Sequence, residues 1–161
     1  MIIIHCQTGR DIEINSDTLE NLVLDGLDLH RAVLEGLNLT GTRLRKANLR
    51  GALMSHANLV KADLTEAQCM TADFRFADLR NCKLNKSAPI FANFSETNLQ
   101  SADLAQADIF GAVFKGSNLK GTVMLCRRLE EASLEGAIFD KNTVWPDGYE
   151  PEKHGAIRIN Y

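Results

Sequence analysis

Aromatic residues are scarce in this sequence. They make up 6% of its 161 residues, with one Trp and two Tyr, although 45% of the chain is hydrophobic. A conventional core of mixed large side chains usually holds more of them. The scarcity therefore indicates a core in which one kind of aliphatic side chain is used many times.

Long apolar runs and cysteine pairs are also missing. No run approaches the roughly 18 apolar residues of a membrane span. The segment Met1–His5 lacks the basic residues that open a secretory signal. The four cysteines, Cys6, Cys69, Cys82 and Cys126, form no CxxC pair. Unpaired thiols are typical of a reducing compartment, so we expect a cytoplasmic protein.

A five-residue repeat fills most of the chain. One column of the repeat holds large apolar side chains in unbroken register from Leu24 to Phe139, with Pro89 as the exception. A second column, two residues earlier, is mostly Ala, and the residue between the columns is often Asn or Asp. Residues two apart on an extended segment point to the same side. Both columns therefore face inward, and the chain is expected to turn a corner after each unit.

This pattern resembles the pentapeptide-repeat family, whose motif is A(D/N)LXX. Residues 47–51, 62–66 and 102–106 match the motif directly. The resemblance covers residues 22–141 and implies an all-β, right-handed quadrilateral β-helix with about six coils. At about 4.8 Å between stacked strands, such a rod is about 29 Å long. The resemblance also implies a bacterial-type protein.

The ends depart from the repeat and are expected to act as caps within a single domain. Residues 1–21 predict a short hairpin around Thr8 and Gly9, and residues 142–161 predict an irregular cap in which Trp145 covers the last coil. Pro89 gives up a backbone donor, and Arg127 stands at an inward position. We therefore expect irregular backbone near residues 88–90 and 126–129, and we expect Cys126 to point outward.

No residue pattern indicates catalysis, a cofactor or a metal site. The four histidines are far apart, and the sequence has no GxSxG, phosphate-binding loop or dinucleotide-binding motif. Cys69 and Cys82 fit inward positions and are expected to fill the core. The Asp and Asn column is expected to support the backbone or to face solvent. We therefore expect a protein that is not an enzyme and that needs no cofactor.

Some members of this family imitate DNA and thereby bind gyrase or another topoisomerase. The charge distribution of the chain tests whether this activity is expected here. Residues 22–141 carry 15 basic and 14 acidic side chains, so the negative net charge of the chain comes from the caps. Imitating a duplex with one charge per ~1.7 Å requires an acidic rod. DNA mimicry is therefore the alternative hypothesis. Direct nucleic-acid binding is not expected, because no aromatic residues interleave the basic ones.

One outward column is apolar where solvent-facing residues should be polar. Residues twenty apart share a face, and one such column contains Met70, Ile90 and Phe110, with Phe91 beside Ile90. An apolar patch of this kind can mark an interaction site, unless Pro89 shifts the register and turns Ile90 or Phe91 inward. We predict a rigid protein-binding or scaffold module with this patch as its interface, either to an unknown protein or to itself.

Overall fold

Backbone bridges between residues twenty apart build the body of the molecule. In the computed structural model, which describes residues 1–160, parallel bridges join Val23 to Arg43, Asp28 to Asn48, Val33 to Leu53 and Asn38 to Asn58. The same four bridge positions recur in the following coils. Each coil therefore has four sides, which we number 1 to 4 in the order of these bridges. The result is an all-β solenoid.

Short regular elements lie at the two ends. Strands β1 (Ile2–Ile4) and β2 (Ile12–Ile14) pair antiparallel, and strands β3 (Ile138–Phe139) and β4 (Ile157–Arg158) pair parallel. Two 3₁₀ helices span Leu129–Glu131 and Pro151–His154. No helix among residues 1–160 has the length and apolar character that crossing a bilayer requires.

The corners follow from a β-turn after each large inward residue. The turn closes with a hydrogen bond from the amide of the next small residue, as from Ala47 to the Leu44 carbonyl at 3.1 Å. The residue before that small one has positive φ, for example 57° at Lys46 and 67° at Gly26. Glycine adopts this conformation without steric cost, and other residues do not.

The Asn and Asp column satisfies the corner amides that the coil ladder leaves free. The Asp63 carboxylate accepts the Thr65 amide at 3.0 Å, and the Asn118 side chain accepts the Lys120 amide at 3.2 Å. The same contact, from a side chain to the amide two residues on, recurs along the rod. Such Asx turns are a local property of Asn and Asp. The backbone-supporting role expected for this column is confirmed.

The interior is closely filled. The large and small columns are almost completely buried, and the rings of Phe74, Phe94 and Phe114 stack in adjacent coils with centroids 4.8 and 4.9 Å apart. Threonines that replace Ala inside the rod donate to a carbonyl of the coil below, as Thr97 does to Phe74 at 2.7 Å. A polar residue is therefore accepted in the core where it finds an acceptor.

Pro89 disturbs the ladder less than expected. It is buried in the large column, and it cannot donate to the Asp108 carbonyl as its counterparts do. The bridges at Ala88 are missing, but the Ala88 amide still reaches the Ala67 carbonyl at 3.0 Å and Phe91 reaches Phe110 at 2.8 Å. One hydrogen bond is lost while the register is kept.

The last coil departs from strict register, which corrects the expectation of no insertion or deletion. Asp108 bridges Arg127, nineteen residues on, and Val123 bridges Val144, twenty-one residues on. The corner after Met124 is one residue short, because the Cys126 amide bonds directly to the Met124 carbonyl at 2.8 Å. The irregular backbone expected near 126–129 is present, with Arg128 at φ 56°.

The shortened corner exchanges the positions of two side chains. Cys126 is half-buried with its Sγ 3.5 Å from the Leu104 carbonyl oxygen, so the expectation that it points outward was wrong. Arg127 moves to the outward Asx position, where its side chain is 64% exposed. Burial of an arginine without a partner is costly, and one residue fewer at the corner avoids it.

Both ends of the solenoid are covered. At the start, Cys6 bridges Ala32 of the first coil, and Ile4 of β1 is buried. At the end, the ring of Trp145 meets Phe139 edge-on at 5.5 Å and Tyr149 stacks on Trp145 at 5.5 Å. Trp145 thus covers the last coil as expected. Tyr161, the final residue of the predicted cap, lies outside the described residues.

Candidate protein-interaction face

Side 2 presents the apolar column outward. Its coils are aligned by the corner amides, which bond from Gly51 to Met70 at 2.9 Å, from Thr71 to Ile90 at 2.8 Å and from Phe91 to Phe110 at 2.8 Å. Met70 is 41% exposed and Phe91 56% exposed, while Ile90 and Phe110 are half-buried. The ladder therefore brings the four predicted residues together. Pro89 turns neither Ile90 nor Phe91 into the core.

Phe91 is held in place by its neighbours. Its backbone has φ 55°, and its ring lies over Gly111 in the next coil, where no space remains for a Cβ. The same ring meets Phe110 edge-on, with centroids 5.2 Å apart. An edge-on pair is a favourable aromatic geometry. Phe91 and Phe110 thus form a fixed ridge at the edge of side 2, which we call the aromatic ridge.

Arg128 borders the aromatic ridge and was not predicted from the sequence. Its guanidinium lies 4.6 Å from the centre of the Phe110 ring, and its Nε donates to Asp108 at 2.7 Å. This hydrogen bond holds the pKa of Asp108 below its ordinary value. A strict five-residue register places Arg128 at the outward position between the small and large columns, away from Phe110. The contact appears only because the last coil is shifted.

Charged side chains lie at both ends of side 2. Near the first coil lie His30, Arg31 and Arg50, and at the last coil the 3₁₀ helix presents Glu130 and Glu131. Within residues 1–160, Arg31, Arg50 and Glu131 have no oppositely charged group within 4.0 Å, whereas Glu130 lies 3.2 Å from His154. Both ends of side 2 therefore carry charges of both signs, because Asp28 lies beside the basic residues of the first coil and Arg127 and Arg128 lie beside the glutamates of the last coil.

A sequence profile of pentapeptide repeats matches residues 18–51, 52–87 and 90–124. These segments cover well over half of the chain. The chain belongs to the pentapeptide-repeat family.

Solved structures of other pentapeptide-repeat proteins share the fold. HetL from Nostoc sp. strain PCC 7120, a protein involved in heterocyst differentiation regulation, is 25% identical with a TM-score of 0.68. The alignment covers 78% of this chain and only 56% of HetL. Rfr23 from Cyanothece 51142 is 25% identical with a TM-score of 0.59, over 79% of this chain and 90% of Rfr23.

A third pentapeptide-repeat structure is more distant. QnrB1, a plasmid-mediated fluoroquinolone resistance protein, is 22% identical over 92% of this chain and 88% of its own. Its TM-score is 0.45, so the likeness supports no argument about function. No curated protein sequence matches this chain. Proteins of the family are generally non-enzymatic structural or binding modules.

Ion pairs neutralise much of the remaining pentapeptide-repeat surface. Arg75 and Arg80 each make two-pronged hydrogen bonds to the carboxylates of Asp73 and Asp78, and Arg45 donates to Asp63 at 2.7 Å. The Arg75 hydrogen bond lowers the pKa of Asp73. Paired carboxylates of this kind give the rod no continuous acidic surface.

The thiols and histidines form no reactive group in the described part of the chain. Burial raises the pKa of the Cys69 and Cys126 thiols to about 12, so neither is a thiolate nucleophile near neutral pH. No cluster of three or more His, Cys, Asp or Glu side chains among residues 1–160 is placed to hold a metal ion.

Proposed function

We propose that this pentapeptide-repeat protein is a rigid, non-enzymatic module that binds another protein through side 2. The observation behind the proposal is the outward apolar column, in which Met70 and the neighbouring Phe91 are exposed and Ile90 and Phe110 are half-buried. Contiguous apolar patches of this kind mark interaction surfaces on soluble proteins. Large, stiff aromatic side chains are also over-represented among the residues that dominate binding energies.

The rod is suited to present this surface without rearrangement. A right-handed, four-sided coil of about six turns holds most of the outward residues on a hydrogen-bonded ladder. The interior is filled by Leu and Phe side chains, so the binding surface is flat rather than a cavity. Free thiols at all four cysteines are compatible with a reducing compartment, and we propose a cytoplasmic location.

Site-specific photo-crosslinking tests the proposal. A photoreactive amino acid at Met70 on side 2 should form a defined protein adduct in the native host. The same amino acid at Gln100, which is exposed at the equivalent position on side 4, should form none. Replacing Ile90 and Phe110 by Ser in the Met70 probe should remove the adduct while the fold, followed by circular dichroism, remains. Equal labelling from both sides would refute a role for side 2.

DNA mimicry is not supported by the surface charge. The solenoid carries nearly equal numbers of basic and acidic side chains, and carboxylates such as Asp73 and Asp108 are bound to arginine. A protein that imitates DNA needs unpaired negative charge along its length. A supercoiling assay checks this point, since inhibition of gyrase at stoichiometric amounts of protein would replace the present proposal.

A further inference from the structure

An Asp–Gly pair lies in an exposed turn of the C-terminal cap. Asp147 and Gly148 are the two central residues of a β-turn in which the Tyr149 amide donates to the Pro146 carbonyl at 3.0 Å. Gly148 has φ 77°, which is typical of the third residue of a type II turn. We propose that Asp147 is a site of spontaneous isomerisation to isoaspartate and that this covalent change loosens the cap.

The reaction needs only these two neighbouring residues and water. The Gly148 nitrogen attacks Cγ of the protonated Asp147 carboxyl, a new N–Cγ bond forms, and the carboxyl hydroxyl leaves with the amide hydrogen as water. The product is a cyclic imide, the succinimide. Water then adds to one of the two imide carbonyls. Cleavage of the new N–Cγ bond restores aspartate, and cleavage of the original peptide bond leaves isoaspartate, in which the chain runs through the side chain.

Neither reacting group is restrained within residues 1–160. The Gly148 amide donates no hydrogen bond, and the Asp147 carboxylate accepts none and has no basic group within 4.0 Å. A Cβ added at Gly148 would meet no atom within 4 Å, so the peptide has space to rotate as the carboxyl approaches. Both residues line an open cleft of about 440 Å³, through which water reaches the imide.

The other Asp–Gly pair of the sequence, Asp25 and Gly26, is held in place by the solenoid. The Gly26 amide donates to the Arg45 carbonyl of the next coil at 2.8 Å. The Asp25 carboxylate accepts from the Arg43 Nε at 2.7 Å and from the Arg45 amide at 3.0 Å. Attack by the Gly26 nitrogen therefore requires local opening of the coil, which costs free energy. The same dipeptide is thus protected in the solenoid and unprotected in the cap.

Isoaspartate adds one carbon atom to the backbone of a tight turn that positions the cap. The turn fixes where Tyr149 stacks on Trp145, with ring centroids 5.5 Å apart, and Trp145 in turn meets Phe139 of the last coil edge-on. A longer backbone at Asp147 disrupts the hydrogen bond from Tyr149 to Pro146 and moves the Tyr149 ring away from Trp145. The cap is therefore expected to loosen as the protein ages.

Peptide mapping of the aged protein tests the site. The purified chain is held at neutral pH and physiological temperature, and its tryptic peptides are separated by chromatography and identified by mass spectrometry. An isoaspartate peptide keeps its mass but elutes separately, and the succinimide is lighter by one water. Isoaspartate should accumulate at Asp147 at least about ten-fold faster than at Asp25, because several hydrogen bonds must first open at Asp25. Equal rates in the folded chain, or no isoaspartate at Asp147, would overturn the proposal.

The unfolded chain is the control for local sequence. In guanidinium chloride the hydrogen bonds around Asp25 and Gly26 are lost, so both Asp–Gly pairs should isomerise at similar rates. A difference that persists in the unfolded chain would assign the selectivity to the neighbouring residues. That outcome would refute protection by the coil.

Asp147→Glu separates isomerisation from other changes that occur with time. Glutamate keeps the charge of the turn, but its extra methylene requires a larger ring, which closes far more slowly. The fluorescence of Trp145, the single Trp of the chain, should shift to longer wavelength as the unaltered protein ages and should stay constant in the variant. Constant fluorescence while isoaspartate accumulates would refute loosening of the cap, as would an equal shift in Asp147→Glu.

Discussion

At the scale of single residues, the corners place many non-glycine residues in a left-handed backbone conformation that favours glycine. Among residues 1–160, fifteen non-glycine residues have positive φ, including the β-branched Thr71 at 56°. Left-handed backbone costs an L-residue on the order of 1 kcal/mol, and a β-branched one suffers most. The rod tolerates this cost many times over because each corner is fixed by its own hydrogen bond and by the coils on either side.

Thr71→Gly should therefore stabilise the protein, by about 1 kcal/mol, as the relief of the strained backbone exceeds the added freedom of the unfolded chain. Urea denaturation followed by circular dichroism measures the change. Gln100→Gly is the control, because Gln100 is also an exposed corner residue but lacks positive φ. It should lose about 0.5–1 kcal/mol. Equal losses in both variants would contradict the explanation.

At the scale of elements, the caps decide whether the end coils are protected. The last coil exposes the large side chain of Phe139 unless Trp145 covers it, and Tyr149 and His154 continue the stack outward. The Trp145 Nε1 and the Tyr149 hydroxyl are buried without a hydrogen-bond partner in the described part of the chain. Their value to the cap is therefore apolar contact rather than polar bonding.

Trp145→Ala should destabilise the protein by about 3–5 kcal/mol, because it removes a large contact and uncovers the last coil. It should also promote association through the exposed end. Thermal unfolding and light scattering measure the two effects. In the same cap, Tyr149→Phe should change stability little, since the deleted hydroxyl lacks a partner. A large loss in Tyr149→Phe would show that its hydroxyl is bonded in solution.

At the scale of the whole molecule, ion pairs to outward carboxylates link stability to pH. Hydrogen bonds from Arg75 and Arg128 lower the pKa of Asp73 and Asp108 below the ordinary carboxyl value. A depressed folded pKa contributes stability that is complete above the unfolded value of about 3.9. This contribution is lost as the pH falls through the folded pKa values.

Acid should therefore destabilise the rod mainly below about pH 4. Urea midpoints measured from pH 7 downward should be flat at first and then fall. The double variant Asp73→Asn and Asp108→Asn should be less stable at pH 7 and should lose less on acidification, because two linked carboxyls are gone. An unchanged slope in this variant would show that these ion pairs do not contribute to acid sensitivity.

The sequence by itself determined the repeating architecture. Five-residue periodicity sets which side chains face inward and which columns stack, because every corner adds the same turn. Met70, Ile90 and Phe110 could therefore be placed on one side of the rod before any coordinates, and so could Phe91. The sequence also places Gly111 twenty residues after Phe91 in the same column, and its missing side chain leaves space for the Phe91 ring.

Only the tertiary structure decided the last coil. A five-residue count puts Arg127 inside and Cys126 outside, and the chain instead shortens one corner, so that the thiol packs inward and the arginine reaches solvent. The same shift brings Arg128 over Phe110 and places Glu130 and Glu131 in the 3₁₀ helix that follows it. Whether the last coil keeps strict register depends on two free-energy costs, that of burying the Arg127 charge and that of distorting one turn. That balance is set by the surrounding coils and not by the local sequence.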